Sequence, residues 1–493
     1  MVTLVIMDGW GLSDATKGNA IAAAKTPNID SYVKYPNVTL KASGLDAGLP
    51  AGTQGNSEVG HMAIGAGRIV YQDLTMISQS IADETFFANP EFLGAVENCK
   101  KNNAALHLMG MITDAGVHSH NSHMFALLEL AKRHGLKRVY VHAILDGRDT
   151  PPKSAGEYLE TLANKINELG IGKIATIVGR YNIMDRDMNN ERVERGFNAM
   201  LKGEGAPAAD WSSGLKASYA AEVTDEFVMP IVLENTERIT DGDSVIFFNY
   251  RKDRAKQITR MFSERANVHF VCMTEYDKTI PNVHIAFKPQ TTSNHLGEWL
   301  SKQGKRNFRV AETEKYNHVT FYFNALNDIE YEGEERVLVP SEKVATFDLA
   351  PKMRAVEIKD KAIELIKSGE YQLGVLNFAN PDMIGHTGVF EAAVTGVETV
   401  DACVGEVVQA TLDNGGIAIV TADHGNAELM ADSETGATVT SHTTNPVPLF
   451  ILGAGELKLR PDGGLSDIAP TILELMQLKP PAEMTGKSLI AHS

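Results

Sequence analysis

Short apolar runs that end in polar residues recur along the whole chain, and this pattern constrains the fold most strongly. The runs include VTLVIM, ALHLMGMI, RVYVHAIL, ATIVG, SVIFFNY, HVTFYFN, LGVLNFA, IAIVTA and VPLFIL, each short enough for a buried strand. Longer segments with helical spacing lie between them. In SAGEYLETLANKINELG, Ser154 and Glu157 have the spacing of a capping box, and Gly170 ends the helix. The alternation predicts an α/β protein with mainly parallel sheets covered by helices.

The length and the charge of the chain limit its organisation and its partners. With 493 residues, the chain exceeds the usual domain size of about 100 to 250 residues, so two or three domains are expected. The formal net charge of -17 argues against a nucleic-acid partner, because such binding needs clustered Lys and Arg. Any anionic ligand must therefore be bound by a local basic pocket.

Cysteine usage and hydropathy predict a soluble cytoplasmic protein. Cys99, Cys272 and Cys403 are far apart and form no CxxC pair, which disfavours a disulfide framework. The first apolar run ends at Asp8 and lacks a basic n-region, so it is interpreted as a strand and not as a signal peptide. No apolar run approaches the roughly 18 residues of a membrane span, and we expect no membrane contact.

Aspartates and histidines lie at or near the ends of several predicted strands. A single Asp after a strand is more often a helix cap or a turn former. Taken together, mixed carboxylate and imidazole ligands suit Mn²⁺ or Zn²⁺, and six of them can be shared between two ions. Two metal ions about 4 Å apart are a standard arrangement for phosphate chemistry. The six residues are Asp8, Asp382, His386, Asp423, His424 and His442.

Ser57 lies in the glycine-rich stretch AGTQGNSEVGHMAIGAG. A serine hydroxyl is a poor nucleophile at neutral pH, but metal coordination can activate it. Gly55 and Gly60 would let the backbone and a phosphate approach closely. The alternative, a flexible surface loop, leaves the ligand set unexplained. Neither GxGxxG nor GxxxxGK[ST] occurs, so we expect no nucleotide.

Arginines follow strand-like runs in the middle of the chain, where guanidinium groups can bind a carboxylate or phosphate through two hydrogen bonds. Any one of them could equally form a structural ion pair with a neighbouring Asp. Together they predict an anion pocket. In TDAGVHSHNSH, we expect His118 near the substrate and His120 and His123 to be structural. The five arginines are Arg148, Arg180, Arg186, Arg251 and Arg254.

The two residue sets occupy different parts of the chain, which predicts one domain interrupted by another. The proposed metal ligands lie near both ends, whereas the arginines lie between Arg148 and Arg254. We expect residues 1–75 and 288–493 to form a metal-binding, phosphatase-like catalytic domain. Residues 76–287 are then an inserted substrate-binding domain.

Ten motifs occur in the order found in one known family. They are MDGWG, GNSEVGH, GVHSH, DGRDTPP, GRY with MDRD, NYRKDR, EKYNHVTF, NFANPDMIGHTG, TADHGNAE and SHTTNPVP. Through them the chain resembles, from end to end, the cofactor-independent, or 2,3-bisphosphoglycerate-independent, phosphoglycerate mutases, which are related to alkaline phosphatases. The resemblance implies an alkaline-phosphatase-like α/β sheet domain with helices on both faces, interrupted by an inserted α/β domain. The chain departs from the residues common in this family at five positions, none of which is a proposed ligand: Ala115, Asn182, Ile183, Asn190 and Lys252.

The resemblance also implies roles for individual residues. Ser57 would be the phosphorylated nucleophile, and Lys315 would help to hold the phosphoryl group between two half-reactions. One metal ion would be held by Asp8, Ser57, Asp423 and His424, and the other by Asp382, His386 and His442. The expected substrate contacts are His118, Arg148, Asp149, Arg180, Arg186, Arg251, Arg254 and Lys315.

The resemblance favours Mn²⁺ as the metal, although the ligand set would also accept Zn²⁺ or Co²⁺. It implies a small-molecule substrate, no 2,3-bisphosphoglycerate and a monomer. The first hypothesis is therefore interconversion of 3-phosphoglycerate and 2-phosphoglycerate, with Asp149, then His118, as the candidate general acid/base. The second is a phosphatase or a sugar-phosphate mutase of the same superfamily, which would not need the arginine set. The third is a non-enzymatic metal-storing or protein-binding module in which Ser57 is inert.

Overall fold

The chain divides into two compact units. The computed structural model describes residues 1–290, 292–432 and 434–492. Unit 1 comprises Met1–Gln72 and Gln290–Ser493, and unit 2 comprises Asp73–Pro289. The roles expected for two domains, catalytic and substrate-binding, stay predictions.

Unit 1 is built on an eight-stranded sheet. Its strand Val2–Met7 runs parallel to Leu373–Phe378 on one side and to Ile417–Thr421 on the other. Both Val2–Met7 and Leu373–Phe378 are buried along their whole length, as expected for central strands of a sheet covered on both faces. Because the three strands are parallel and in register, the residues that follow them lie at the same edge of the sheet. In spatial order the strands are Glu334–Val339, Asn307–Glu312, Leu373–Phe378, Val2–Met7, Ile417–Thr421, Val447–Leu452, Asn37–Lys41 and Gly463–Gly464.

Helices complete unit 1. The longest, Phe390–Asp413, buries Val397, Val400, Val404 and Val407 against the sheet, and this apolar stripe follows the helical period. The α-helices are Ala20–Ala23, Pro27–Tyr32, Ser57–Ala66, Leu296–Lys302, Thr313–Asn317, Ala355–Ser368, Asn380–Gly385, Phe390–Asp413 and Ile468–Leu475. Short 3₁₀ turns span Gly44–Ala47, Phe347–Leu349 and Leu465–Asp467.

Unit 2 contains a second eight-stranded sheet. Its pairs are parallel except for Lys173–Gly179 with Ile231–Leu233. Leu106–Met111, Val139–Leu145 and Lys173–Gly179 are adjacent, so the residues after their carboxyl ends share one edge. In spatial order the strands are His284–Phe287, His269–Thr274, Ser244–Phe247, Leu106–Met111, Val139–Leu145, Lys173–Gly179, Ile231–Leu233 and Ala206–Ala208.

The helices of unit 2 pack around its hydrophobic core, in which Phe86, Phe92 and Leu127 are fully buried. The α-helices are Asp73–Ala82, Pro90–Asn102, Asn121–Arg133, Ala155–Leu169, Asn190–Lys202, Trp211–Ala220 and Lys256–Arg265. Short 3₁₀ turns span Thr85–Ala88, Arg180–Asn182 and Asp225–Phe227. The predicted α/β class with mainly parallel sheets is confirmed. Among the described residues, no helix combines the length and the apolar character needed to cross a membrane.

One predicted strand is wrong. The run HVTFYFN forms a π-helix, His318–Tyr322, directly after the helix Thr313–Asn317. Val319 and Phe323 are both fully buried, and their separation of four residues is helical and not the two-residue alternation of a strand. The buried guanidinium of Arg309 donates to the carbonyl of Val319 at 2.9 Å and lies 4.3 Å from the Phe323 ring centroid. These tertiary contacts decide the local conformation.

The predicted capping box of the helix Ala155–Leu169 is also wrong. The Ser154 hydroxyl donates to the carbonyl of Pro151 at 2.8 Å and does not cap the helix. Instead, Oδ2 of Asp225 accepts from the backbone N–H groups of Ser154 at 2.8 Å and Ala155 at 2.9 Å. The Tyr219 hydroxyl donates to the other oxygen of the same carboxylate. A residue distant in sequence therefore supplies the cap.

We predict that Asp225→Ala destabilises the protein far more than Ser154→Ala. The first change removes the acceptor of two helix N–H groups and of a tyrosine hydroxyl, which should cost about 1–3 kcal/mol. The second removes one exposed hydroxyl and should cost less than about 0.5 kcal/mol. Calorimetric unfolding of the full chain measures both. Equal unfolding temperatures for the two variants would contradict the cap assignment.

Candidate active site

Three buried aspartates lie together at the carboxyl edge of the unit 1 sheet. Asp8 follows Val2–Met7, Asp423 follows shortly after Ile417–Thr421, and Asp382 lies in the first turn of Asn380–Gly385. The backbone links two of these positions, because the N–H of Asp382 donates to the carbonyl of Asp8 at 3.1 Å. All three side chains are almost completely excluded from solvent. Their negative charges must therefore be compensated within the protein.

Ser57 lies inside this group of aspartates and not in a flexible loop. It is the first residue of the helix Ser57–Ala66, whose N-cap Asn56 accepts from the N–H of Val59 at 3.1 Å. Its side chain is buried, and Oγ lies 3.1 Å from Oδ1 of Asp8 and 2.9 Å from Nε2 of His424. The N-terminus of a helix favours negative charge. The position therefore suits a serine that carries a phosphoryl group.

Lys315 supplies a positive charge at the centre of the cluster. Its Nζ lies 2.7 Å from Oδ1 of Asp8, from Oγ of Ser57 and from Oδ2 of Asp382. Burial lowers the pKa of Lys315, but the two carboxylates outweigh burial and raise it, so the ammonium stays charged. For Asp8, burial alone would raise the pKa, but the positive charge of Lys315 outweighs burial and holds the pKa well below its usual range.

The three predicted histidine ligands share one orientation. Nδ1 of His386, His424 and His442 donates to a backbone carbonyl at 2.7, 3.2 and 2.9 Å, respectively. Their Nε2 atoms consequently face Oδ1 of Asp382, at 3.3, 3.9 and 3.1 Å, respectively. An imidazole held through one nitrogen presents the other to a metal ion. Burial alone would lower the pKa of His424, but the negative charges of Asp423 and Asp8 outweigh burial and raise this pKa to about 10. The cluster therefore attracts cations.

A further histidine, His61, lies in the cluster, but both of its ring nitrogens are engaged in hydrogen bonds. Its Nε2 accepts from Nδ2 of Asn377 at 3.0 Å, and its Nδ1 donates to the carbonyl of Ser57 at 2.9 Å. Although Nδ1 also lies 3.0 Å from Oδ2 of Asp423, neither nitrogen keeps a lone pair for a metal. His61 and Asn377 therefore orient the neighbouring groups. Asn377 also donates to Oδ2 of Asp8 at 2.8 Å, which leaves Oδ1 directed at Ser57 and Lys315.

The residues present fit divalent metal ions. Oδ2 of Asp423 is buried and accepts no hydrogen bond among the described residues, since Nδ1 of His61, 3.0 Å away, donates to the carbonyl of Ser57. Ligand atoms of Asp382, His424 and His442 lie within 4.8 Å of one another, and carboxylate oxygens of Asp8 and Asp423 also lie within 4.8 Å of each other. Mixed carboxylate and imidazole donors suit Mn²⁺ and Zn²⁺. The structure brings all seven predicted metal ligands into this one cluster, with His61 beside them.

In unit 2, Arg180 is the centre of a second polar group. Its Nη1 donates to carboxylate oxygens of Asp146 at 2.7 Å and of Asp149 at 2.6 Å, and its Nη2 donates to Nε2 of His118 at 2.8 Å. Burial raises the pKa of Asp149, but the hydrogen bond and charge of Arg180 outweigh it and lower it. His120 and His123 instead contact nearby serines, Ser122 at 2.7 Å and Ser78 at 3.0 Å.

The other predicted arginines of unit 2 are held more loosely. Arg148 lies 3.7 Å from Glu226, and Nη1 of Arg254 donates to the carbonyl of Met184 at 3.0 Å. Together with Arg180, these two arginines line a cavity of ≈ 180 Å³. The remaining two, Arg186 and Arg251, both contact the carboxylate of Asp253, at 3.3 and 3.0 Å. Lys315, also predicted to contact substrate, belongs to unit 1.

Sequence reasoning missed Asp146, which organises the loop of Arg148 and Asp149. Oδ1 of Asp146 accepts from the N–H groups of Arg148 at 3.3 Å and Asp149 at 3.0 Å, and from Arg180. Oδ2 accepts from the Thr113 hydroxyl at 3.2 Å. Its position directly after a strand was the same signal that identified Asp8. His61 and Asn377 also lie within the quoted motifs, but neither was assigned a role.

Comparison with known proteins defines the family. The Metalloenzyme superfamily model matches residues 1–480. The chain is 53% identical to the 2,3-bisphosphoglycerate-independent phosphoglycerate mutase of Acetivibrio thermocellus and 53% identical to that of Clostridioides difficile, with 99% of each chain covered in both comparisons. The chain belongs to the 2,3-bisphosphoglycerate-independent phosphoglycerate mutase family.

The fold agrees with that of a solved phosphoglycerate mutase. A crystal structure of the Leishmania mexicana phosphoglycerate mutase, determined at low cobalt concentration, is 32% identical to the chain. The alignment covers 100% of this chain and 98% of that chain, with a TM-score of 0.56. The sequence motifs indicated a resemblance to the 2,3-bisphosphoglycerate-independent phosphoglycerate mutases. The comparisons confirm it over the whole length of the chain.

We predict that His118 stays neutral throughout the physiological pH range. Burial first, and the charge of Arg180 second, lower its pKa from 6.5 to about 4. The hydrogen bond from Arg180 makes Nε2 the acceptor and leaves the proton on Nδ1. A ¹⁵N NMR titration of the imidazole, assigned with a His118 variant, should show no inflection above about pH 5. Arg180→Met should raise the pKa of His118.

The same shift has a defined effect on stability. The pKa of His118 is lower in the folded chain than in the unfolded chain, so between these two pKa values the unfolded chain binds more protons. The contribution of His118 to the free energy of unfolding is therefore complete above the unfolded value of 6.5 and is lost as pH falls toward about 4. In the ¹⁵N NMR titration of the wild-type protein, an inflection of the His118 signals near pH 6.5 would contradict the assigned tautomer and its hydrogen bond.

Proposed function

We propose that the chain interconverts 3-phosphoglycerate and 2-phosphoglycerate through a phosphoserine on Ser57, with two divalent metal ions and without 2,3-bisphosphoglycerate. Membership of the family assigns the chain to the isomerases. The observation that carries the proposal is the position of the Ser57 hydroxyl, within 3.1 Å of Asp8, His424 and Lys315 in a buried cluster. This environment can bind cations and can receive a phosphoryl group.

The metal ions are proposed to be Mn²⁺. When bound, they supply positive charge that neutralises the phosphoryl oxygens and lowers the pKa of the serine hydroxyl. The orientation of the Nε2 atoms of His386, His424 and His442 toward the carboxylates supports these residues as ligands. One ion would be held by Asp8, Ser57, Asp423 and His424, and the other by Asp382, His386 and His442.

The proposed reaction consists of two transfers. In the first, Oγ of Ser57 bonds to phosphorus while the bond from phosphorus to the glycerate oxygen breaks, and the proton lost by Ser57 passes, in net balance, to that glycerate oxygen. In the second, the other glycerate hydroxyl loses a proton and takes the phosphoryl group, and Ser57 regains its proton. Asp149 is proposed to accept the proton of the attacking glycerate hydroxyl in the second transfer, because its lowered pKa favours the ionised, proton-accepting form, and that proton replaces the one that Ser57 gave up in the first transfer.

The arginines of unit 2 are proposed to bind glycerate between the two transfers. Arg148, Arg180 and Arg254 line one cavity of ≈ 180 Å³, which suits a small anion bound by guanidinium groups. His118, Arg186 and Arg251 are further proposed substrate contacts. Lys315 would contact the phosphoryl group, since its ammonium already lies 2.7 Å from Oγ of Ser57. A carboxylate-bearing substrate needs such an arginine set, whereas a pentose phosphate does not.

We further propose that the protein acts as a monomer in the cytoplasm on this small-molecule substrate. The support for a reducing compartment is that Cys99, Cys272 and Cys403 are free and buried.

Phosphorus NMR of the full chain with Mn²⁺ and 3-phosphoglycerate, without bisphosphoglycerate, tests the proposed function. A 2-phosphoglycerate signal should grow, and it should be lost on chelation. Ser57→Ala should abolish conversion, because no other group takes the phosphoryl group. Ser43→Ala is a matched control, since the Ser43 hydroxyl donates to the carbonyl of Thr444 at 3.0 Å and is not among the proposed metal or substrate contacts. Release of free phosphate instead of 2-phosphoglycerate would support a phosphatase, and conversion by Ser57→Ala would exclude the phosphoserine.

A further inference from the structure

The side chain of Glu428, in the motif TADHGNAE, is fully buried beside the aspartate–histidine cluster. Its carboxylate accepts four hydrogen bonds. Oε2 accepts from the backbone N–H groups of Gly11 at 3.1 Å and Asn426 at 2.8 Å. Oε1 accepts from the Thr443 hydroxyl and from Nδ2 of Asn445 at 3.0 Å. A buried carboxylate with this many donors is fully satisfied without a cation.

The four donors come from three separate segments, and each segment carries a proposed metal ligand. Gly11 lies three residues after Asp8, Asn426 lies two residues after His424, and Thr443 directly follows His442. Among the described residues, no hydrogen bond or ion pair joins the Glu428 carboxylate to these three ligands. Its carboxylate therefore joins the backbones that hold them.

Asn426 extends the connection to the fourth segment. Its Nδ2 donates to Oδ1 of Asp382 at 3.0 Å, while its backbone N–H donates to Glu428 and to the carbonyl of Gly9. Through Asn426, the carboxylate of Glu428 thus helps to fix the aspartate that faces His386 and His442.

The packing around this carboxylate leaves no room for adjustment. A Cβ at Gly11 would lie 2.3 Å from the carboxyl carbon of Glu428, and a Cβ at Gly425 would lie 2.3 Å from Oε1. Both distances are far below van der Waals contact. Glycine is therefore required at Gly11 by the close approach of Glu428, and at Gly425 by Glu428 together with the Thr443 hydroxyl, which would also lie 2.3 Å from the Cβ.

We propose that Glu428 is a positioning residue that sets the geometry of the metal ligands from within the protein, without touching metal or substrate. This inference rests on the proposed metal centre. Residues that orient ligands in this way typically change metal affinity about 10–100-fold when they are replaced. Loss of the carboxylate would release the three segments relative to one another, so the ligands would no longer be held together.

Titration of the full-length protein with Mn²⁺, with free Mn²⁺ followed by electron paramagnetic resonance, tests the proposal. Glu428→Ala should weaken Mn²⁺ binding about 10–100-fold. Thr443→Val keeps the side-chain volume nearly constant while it removes one donor to Oε1 and the acceptor of the Asn445 N–H at 3.2 Å, and it should weaken binding in the same direction, by a smaller factor. Glu428→Gln, which retains one acceptor oxygen, should recover part of the affinity lost in Glu428→Ala.

Asp401→Ala is the matched control. Asp401 is also a buried carboxylate of unit 1, and it accepts from the N–H of Ile29 at 2.8 Å and from Nδ2 of Asn28 at 2.9 Å. By accepting from the backbone N–H groups of Asn28 and Ile29, it caps the helix Pro27–Tyr32, which carries no proposed metal ligand. Asp401→Ala should therefore lower the unfolding temperature without changing Mn²⁺ affinity.

The outcomes separate this inference from the proposed function. Wild-type affinity in Glu428→Ala would overturn the positioning role, as would equal weakening by Asp401→Ala. If Glu428→Ala does not fold, wild-type affinity in Thr443→Val overturns it. A wild-type protein that binds no Mn²⁺ would instead contradict the proposed metal centre itself.

Discussion

The mutual repulsion of three buried carboxylates is the constraint on which the chemistry of unit 1 depends. The parallel register of Val2–Met7 with its two neighbours brings Asp8, Asp382 and Asp423 to one edge of the sheet. Exclusion from water makes this charge costly unless cations or hydrogen-bond donors lie close to it. Lys315 supplies one positive charge, at 2.7 Å from two of the carboxylates. The raised pKa of His424 shows that the cluster favours further positive charge.

The same electrostatics give Ser57 its distinctive environment. Its hydroxyl is placed among groups that attract cations, at a helix N-terminus, and it is held away from solvent. A phosphoryl group on this oxygen would meet the ammonium of Lys315 and the N-terminal N–H groups of the helix. Unit 2 has a different character, because there Arg180 is buried among Asp146, Asp149 and His118 while other arginines line a small cavity. One unit thus suits phosphoryl transfer, and the other suits the binding of a small anion.

Much of the fold could be predicted from the sequence because its signals are local. Strands such as Leu106–Met111 and Ile417–Thr421 are short apolar runs, and Asp8 was recognisable because it directly follows such a run. The run HVTFYFN has the same local composition, yet contacts with Arg309 and the core favour a π-helix. The cap of Ala155–Leu169 was misassigned for a similar reason, since Asp225 is remote in sequence.

The residues that orient the site were the hardest to predict. Asn377 and Glu428 act through hydrogen bonds to residues that are hundreds of positions away, such as Asp8 and Gly11. No spacing rule links such partners, because the sheet topology alone brings them together. For His61 the difficulty is the opposite, because the sequence makes it resemble a metal ligand although the structure gives it another role. It has the residue type and position of a ligand, and only its two hydrogen bonds show that both nitrogens are occupied.

Ser57 is proposed to receive the phosphoryl group within a metal-binding cluster. The most direct test of this proposal is mass spectrometry of the protein after rapid acid quenching of a reaction with 3-phosphoglycerate and Mn²⁺. We expect a phosphate on the peptide that contains Ser57, and we expect it to be lost when Mn²⁺ is chelated before substrate is added. Substrate turnover with Ser57 unmodified, or with the phosphate on a different residue, would contradict the account.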